Sequence, residues 1–415
     1  MTLAEDLTAR GLVEHSSAPI GTILEKKRTV YLGVDPTADS LHVGHLVPLT
    51  TMKRLANDGH TIVLLVGGGT GMIGDPKEKG ERSLLDTKTI ARNKKAIKLQ
   101  MQRIIGKKVI AVDNADWLLK VPLVEFLRDI GKHFTINELI KRDLIKRRLD
   151  NPDDSISYTE FAYSLLQGYD FLELYQKKGV DLQIGSSDQW TNILSGVELI
   201  RRKLGKEAFA LCGPLITDAS GKKFGKSEGN AVWLDAAKTS PYTFYQFWLQ
   251  LPDESLERYF KVYTFIELSE IEELMKAHTQ NPGARTAQKR LAFTVTEVVH
   301  GTEAAKQAEA ASEVLFGNTS LAELSTSARA MLLKEAPTVS VTRKEMSSGL
   351  SVLDVLTVSP LASSKGDARR LIEANGITLN GETVAVNHAL REDNFSNGLA
   401  LLKKGKRDVV VLVMK

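Results

Sequence analysis

Apolar positions along the chain follow two rhythms. Short, nearly unbroken runs, "RTVYLGV", "HTIVLLVGGG", "KVIAVDN", "DLQIGSS" and "FALCGPLIT", read as buried strands. Between the first two lies "LHVGHLVPLTTMKRLAND", apolar at helical spacing, with Gly59 placed to end a helix. Pro48 falls inside that stretch and predicts a kink. Strand, helix and parallel strand make a βαβ unit. The first ~230 residues are expected to form an α/β domain, a Rossmann-like doubly wound parallel sheet that includes an inserted helical region. A helical lead-in over 5–28, looped at "HSSAPIG", precedes it.

From Pro241 the strand rhythm stops and charged amphipathic stretches follow, "SEIEELMKAH" and "EAAKQAEAASEVLFG" among them. The expected division is 1–230 catalytic, 231–328 helical, 329–348 linker, and 349–415 a small α+β domain ending in "RDVVVLVMK".

Composition narrows the class. The 415 residues are 42% hydrophobic and 26% charged, a globular balance. Cys212 stands alone, so an internal disulfide and a CxxC site are excluded. The N-terminus is acidic early and lacks the apolar core of a secretory signal. The run "TIVLLV" is far too short to cross a membrane. A cytoplasmic protein with no membrane partner is expected. The net charge of +4 does not by itself call for a nucleic acid, although basic faces are concentrated in "IKRDLIKRRL", "IRRKLGK" and "KKGKR".

Three motifs could carry chemistry. Gly69, Gly71 and Gly74 spell a dinucleotide fingerprint after an apolar strand, but the ribose-binding acid about 20 residues on is missing. Such a turn can also exist only to let backbones pass closely. The loop "SGKKFGKSEGN" ends like a P-loop without its first glycine; its lysines suit a polyphosphate or a solvated turn. In "DPTADSLHVGHL", His42 and His45 stand i, i+3 at a helix start, with Gly44 between them and Thr37 upstream. Phosphate contacts, a packed or surface pair, and metal ligation with a further ligand all remain open at this point.

Taken together, "HVGH" after the first strand and "KFGKS" after the last resemble the paired signatures of class I aminoacyl-tRNA synthetases. "YLGVDPTADSLHVGHL", "GDP", "YSLLQGYDF", "LQIGSSDQW" and "KFGKSEGN" narrow the resemblance to the bacterial-type tyrosyl-tRNA synthetases, over essentially the whole chain. The resemblance implies tyrosine–tRNA ligase activity: tyrosyl-adenylate is made from tyrosine and ATP, and tyrosine is then transferred to tRNA.

It further implies that Tyr31 and Asp170 read the substrate hydroxyl, and that Asp75, Tyr163 and Gln167 hold the amino group, with Gln189 also on the tyrosine. Tyr163, Gln167 and Asp170 follow at i, i+4, i+7, one helix face. Gly33, Asp35, Gly44, Asp188 and Gln189 would line the ATP and adenylate site. Thr37, His42, His45, Lys79, Arg82, Lys223 and Lys226 would act on the phosphates, the last two also binding ATP. Mg²⁺ is expected with ATP, without a metal caged by the protein. The final segment resembles a small RNA-binding domain, making Arg369, Arg370, Lys403 and Lys404 candidate RNA contacts. A homodimer is implied, with "GKHFTIN" in its interface. Leu32, Pro48 and Ser186 depart from the commoner pattern beside the nucleotide.

Overall fold

The computed structural model describes residues 1–77, 80, 84–217, 226–227, 230–317, 319–405 and 407–415. It divides into two compact units, 1–239 with 254–280, and 240–253 with 281–415.

The first unit is built on a six-stranded sheet. Its strands are β1 (His15–Ser16), β2 (Thr29–Val34), β3 (Thr61–Val66), β4 (Ile110–Asp113), β5 (Val180–Ser186) and β6 (Phe209–Gly213), ordered β1-β6-β5-β2-β3-β4. All neighbours are parallel except β1, an antiparallel edge on β6. The doubly wound sheet expected from the apolar runs is present. The edge strand is an addition: it lies in "HSSAPIG", where two extended residues leave no periodicity to read. The chain winds one way from β2 through β3 to β4 and the other way through β5 to β6. The crevice at the C-terminal ends of β2 and β5 is therefore the switch point where open α/β sheets bind ligands.

Helices flank this crevice: α1 (Leu46–Asn57), α2 (Thr87–Ile105), α3 (Asp143–Leu149), α4 (Tyr158–Lys178) and α5 (Trp190–Leu204). Local chemistry sets their ends. Ser157 caps α4 by accepting from the Glu160 amide, and Gly179 closes it in the left-handed region. Pro48 sits in the first turn of α1, where its missing N–H has no intrahelical acceptor to lose, so the expected kink is not required. Gly59, at φ 91°, turns the chain out of α1 as expected. The helices Asp253–Tyr263 and Leu268–Gln280 lie beyond the expected boundary at 230, yet residues 254–280 belong with this unit. Arg10 donates to the Ile266 carbonyl and Arg54 to that of Thr264, tying them to its N-terminal part. Among the described residues no helix is long and apolar enough to cross a membrane.

The second unit contains α6 (Pro241–Leu249), α7 (Thr286–His300), α8 (Thr302–Phe316) and α9 (Thr326–Glu335). A second sheet follows, of β7 (Thr338–Val341), β8 (Ile377–Leu379), β9 (Glu382–Thr383), β10 (Leu399–Lys404) and β11 (Asp408–Met414), ordered β9-β8-β10-β11-β7. Strand alternation gives it two buried faces. Ala400, Leu402, Val410 and Leu412 pack with the helices Val352–Val358 and Lys365–Glu373. Leu399, Leu401 and Val411 pack with Ala311, Leu315 and Leu332 of α8 and α9. The stretch 329–348 is therefore no linker: it supplies most of α9 and the edge strand β7, paired in parallel with β11. Its Ser/Thr/Pro content hid a strand whose outward residues are polar.

Leu401→Ala should remove an anchor of the helix-facing core. The expected loss is about 2–4 kcal/mol of unfolding free energy, measured by urea denaturation.

Candidate functional site

The site forms at the ends of β2, β3 and β5. Beyond β3 the chain makes the Gly67–Gly69 turn, and the reason for its glycines is steric. A Cβ on Gly67 would lie 2.1 Å from the Asp35 carboxylate, and one on Gly68 2.3 Å from that of Asp113. Gly71 is pressed against Pro36 in the same way, at 2.8 Å. The backbone is pinned there: the Gly68 amide donates to Asp113 and the Gly69 amide to Asn114 Oδ1. Within the apparent dinucleotide fingerprint, Gly71 against Pro36 and Gly69, where a Cβ would lie 3.0 Å from Leu118, are close-packing positions, the alternative its sequence left open.

A polar network spans the crevice from this turn. Asp35 accepts from the Thr70 hydroxyl at 2.6 Å and from the Tyr163 hydroxyl at 2.8 Å. Asn114 Nδ2 donates to Thr70 Oγ1 at 2.8 Å and to Asp170 at 2.9 Å. The other Asp170 oxygen accepts from Trp117 Nε1 at 2.7 Å. Burial nonetheless pushes the Asp170 carboxyl up to about 8, the two donors opposing it. Burial also raises the Tyr31 and Tyr163 phenols well above their ordinary value.

One helix face carries Tyr163, Gln167 and Asp170, as their spacing requires. Opposite them, Asp75 accepts from Gln189 Nε2 at 2.7 Å and from Asn192 Nδ2 at 3.1 Å, which joins the Gly-rich turn to the start of α5. Three buried polar atoms in this region are not fully paired among the described residues: Gln167 Oε1, Gln183 Oε1, and Tyr31 Oη, which has only the Gln183 amide beside it. A phenol oxygen and two amide oxygens form a lining that a ligand with a hydroxyl and an ammonium would satisfy. Asn114, Trp117 and Gln183 had drawn no attention in the sequence. Asn114 directly follows β4 in a polar stretch with no signal of its own, whereas Gln183 is central in β5, where an isolated polar residue in a buried strand was the available signal.

The histidine pair sits one turn earlier than expected. Val43–His45 is a 3₁₀ turn that precedes α1, with extended His42 as its cap. The imidazoles cap the backbone reciprocally: the Gly44 amide donates to His42 Nδ1 at 3.1 Å, and the His42 amide donates to His45 Nδ1 at 3.2 Å. An Nδ1 that accepts is unprotonated, so in both neutral rings Nε2 carries the proton. The rings lie 4.1 Å apart, half-buried. Two Nε2–H donors on one turn suit an anion; two Nδ1 atoms already accepting amides do not suit a metal. Thr37 is exposed on the loop from Asp35, and Gly33 and Asp188 are exposed at the ends of β2 and β5.

The chain returning from the lysine-rich loop docks on this turn. The Val43 amide donates to the Val232 carbonyl at 2.9 Å and the Leu234 amide to the Leu41 carbonyl at 2.8 Å, and Trp233 packs edge-on against His42. Lys238 pairs with Asp39 at 2.6 Å and lies over the Trp233 ring. The chain that follows the second signature is therefore held against the first by backbone pairing at Val232 and Leu234. Lys79, Arg82 and Lys223 lie outside the described residues. Lys226 is described only as backbone, paired with Ala231.

In sequence, residues 24–317 match the family described as "tRNA synthetases class I (W and Y)". The chain belongs to this synthetase family. Residues 329–412 match a "Tyrosine--tRNA ligase SYY-like C-terminal domain". A tyrosine–tRNA ligase of Roseiflexus castenholzii is 44% identical over 98% of each chain. One of Bacteroides thetaiotaomicron is 42% identical over the full length of both. Among solved structures, a C-terminally truncated mitochondrial tyrosyl-tRNA synthetase of Aspergillus nidulans has a TM-score of 0.67 at 30% identity, covering 74% of this chain and 92% of its own. A tryptophanyl-tRNA synthetase of Encephalitozoon cuniculi, at TM-score 0.54 and 15% identity, shares the fold alone, over 74% of this chain and 89% of its own. The family uses ATP.

In the synthetase's second unit the four expected RNA contacts separate. Arg369 and Arg370 are exposed on the helix Lys365–Glu373. Lys403 is half-buried and reaches the Val314 carbonyl at 3.4 Å, and Lys404 donates to that of Leu361 at 3.1 Å. The two lysines are committed within the unit, since they stand on a strand whose faces are both covered.

The buried Asp170 has a consequence for stability. Its folded pKa lies far above the ~3.9 of an unfolded aspartate, so the folded state binds the extra proton and stability falls as pH rises between about 4 and 8. Asp170→Asn should remove that slope. Whatever constant offset the lost acceptor causes, its melting temperature relative to the parent should climb from pH 5 to pH 8 in a thermal scan.

Proposed function

We propose that the protein is a tyrosine–tRNA ligase, which activates tyrosine with ATP to tyrosyl-adenylate and pyrophosphate and then esterifies the 3′ end of its tRNA. The observation that carries this reading is the buried Tyr31 hydroxyl, close enough to Asp170 to feel its charge and with only the Gln183 amide beside it as a partner. A substrate phenol offers both a donor and an acceptor to that pair, and its absence leaves buried polar groups unpaired. An indole supplies only a donor, which disfavours the tryptophan-specific alternative within the family.

In this reading the substrate ammonium is received by Asp75, Tyr163 and Gln167, with Gln189 steadying Asp75. The substrate carboxylate attacks the α-phosphate in line, and pyrophosphate leaves. Gly33, Asp35, Gly44 and Asp188 border the nucleotide. His42 and His45 offer their Nε2–H groups, and Thr37 its hydroxyl, to phosphate oxygens. Lys79, Arg82, Lys223 and Lys226 supply positive charge as the leaving group develops. Mg²⁺ enters with ATP as part of the substrate. Arg369 and Arg370 present exposed charge suited to RNA phosphates. The reading places the enzyme in the cytoplasm as a homodimer. Exposed Leu123 and Val124, and Ile136 within "GKHFTIN", favour a second copy as partner.

ATP–pyrophosphate exchange with each amino acid tests the assignment. Exchange is expected with tyrosine; exchange with tryptophan instead, or with none, would sink it. His42→Ala should slow adenylate formation by about 10²–10³ while changing tyrosine affinity little, and equal losses in pre-steady-state kinetics would contradict a transition-state role. Light scattering should give twice the chain mass; a monomer that exchanges at full rate would remove the dimer from the reading.

A further inference from the structure

Arg148 is a buried charge that no step above uses. It lies in α3 with its side chain 2% exposed, as is that of its partner Glu160. One terminal nitrogen donates to the Glu160 carboxylate at 3.0 Å and to the Lys77 carbonyl at 3.4 Å. The other donates to the Ser155 carbonyl and lies 3.3 Å from the Asp154 carboxylate. These acceptors come from three separate stretches of the first unit. Lys77 follows Asp75 by two residues. Asp154 and Ser155 form the turn before α4. Glu160 is in the first turn of α4, three residues before Tyr163.

Burying an ion pair is an expensive way to hold two elements together, and apolar side chains commonly do it at lower cost. What a guanidinium adds is a planar fork that fixes several acceptors at set distances. Here the fork spans the Asp75 turn on one side and the Tyr163–Gln167 face on the other. Those are the two walls that, in the reading proposed above and on which this inference rests, receive the substrate ammonium.

We propose that Arg148 is a positioning residue which sets the separation of those walls and so tunes recognition of the amino group, touching no substrate itself. Lysine at this position keeps the charge but has one nitrogen. It can hold Glu160 and the Asp154 turn only by releasing the Lys77 carbonyl.

The test compares two ligands in calorimetry on the full chain: tyrosine, and 3-(4-hydroxyphenyl)propanoate, which keeps the phenol and carboxylate but lacks the amino group. Arg148→Lys should weaken tyrosine about tenfold and the desamino ligand by less than about twofold, since displacing one wall costs only the contacts made there. Glu160→Gln, which keeps the shape and loses the charge, should give the same pattern at smaller amplitude, and it serves as the readout if the lysine variant does not fold. Equal weakening of both ligands would make Arg148 a general structural brace and overturn the inference, as would unchanged tyrosine binding in both variants. Failure of the parent protein to bind tyrosine would strike the pocket reading itself, an outcome distinct from either.

Discussion

The Asp35 carboxylate is the point on which the crevice depends. It leaves the end of β2 at the switch in strand order and accepts two hydroxyls, from Thr70 on the Gly-rich turn and Tyr163 on α4. A carboxylate there must be fully hydrogen-bonded, because unpaired charge in a half-buried crevice is costly. Meeting that need draws β2, the turn after β3 and α4 into one arrangement. Gly67 follows as a necessity, since a side chain there would displace the carboxylate. Thr70 in turn accepts from Asn114, which holds Asp170. A single chain of hydrogen bonds thus runs from Asp35 at the end of β2 to the buried Asp170 on α4.

The parallel sheet was legible because its five long strands are apolar runs and need no further context. The Tyr163–Gln167–Asp170 face was legible for a similar reason: helical spacing alone puts the three on one side. What lay beyond reach was set by partners distant in sequence. The edge strand at His15 exists through β6. The strand at Thr338 exists through β11, and its polar outward residues looked like a linker. The glycines after β3 match a nucleotide motif in spelling, and only their neighbours reveal a packing role: Asp35 and Asp113 against Gly67 and Gly68, Pro36 against Gly71. Asn114 and Trp117 carry no local pattern at all, and Arg148 is spelled into the basic run "IKRDLIKRRL" although it is buried; each role is recognisable only once its acceptor, more than ten residues away, is in place.

The histidine signature illustrates how backbone chemistry prepares side chains. The motif spells two imidazoles and a glycine. The fold adds that each ring spends Nδ1 on an amide of the same turn, which selects the tautomer and aims the remaining donor. Pairing with Val232–Leu234 then docks the segment that follows the lysine-rich loop on that turn. The histidine turn and the segment Val232–Leu234 are thus held together by main-chain hydrogen bonds and not by long flexible side chains.

The incompletely paired oxygens of Tyr31, Gln167 and Gln183 carry a thermodynamic meaning of their own. A buried polar atom left unpaired costs about 1–3 kcal/mol, so the fold holds back part of its stability at the pocket. A ligand that pairs those atoms returns it, and binding and folding become linked through the same three atoms. Filling them with apolar substitutes would make a sturdier protein with nothing left to give its substrate.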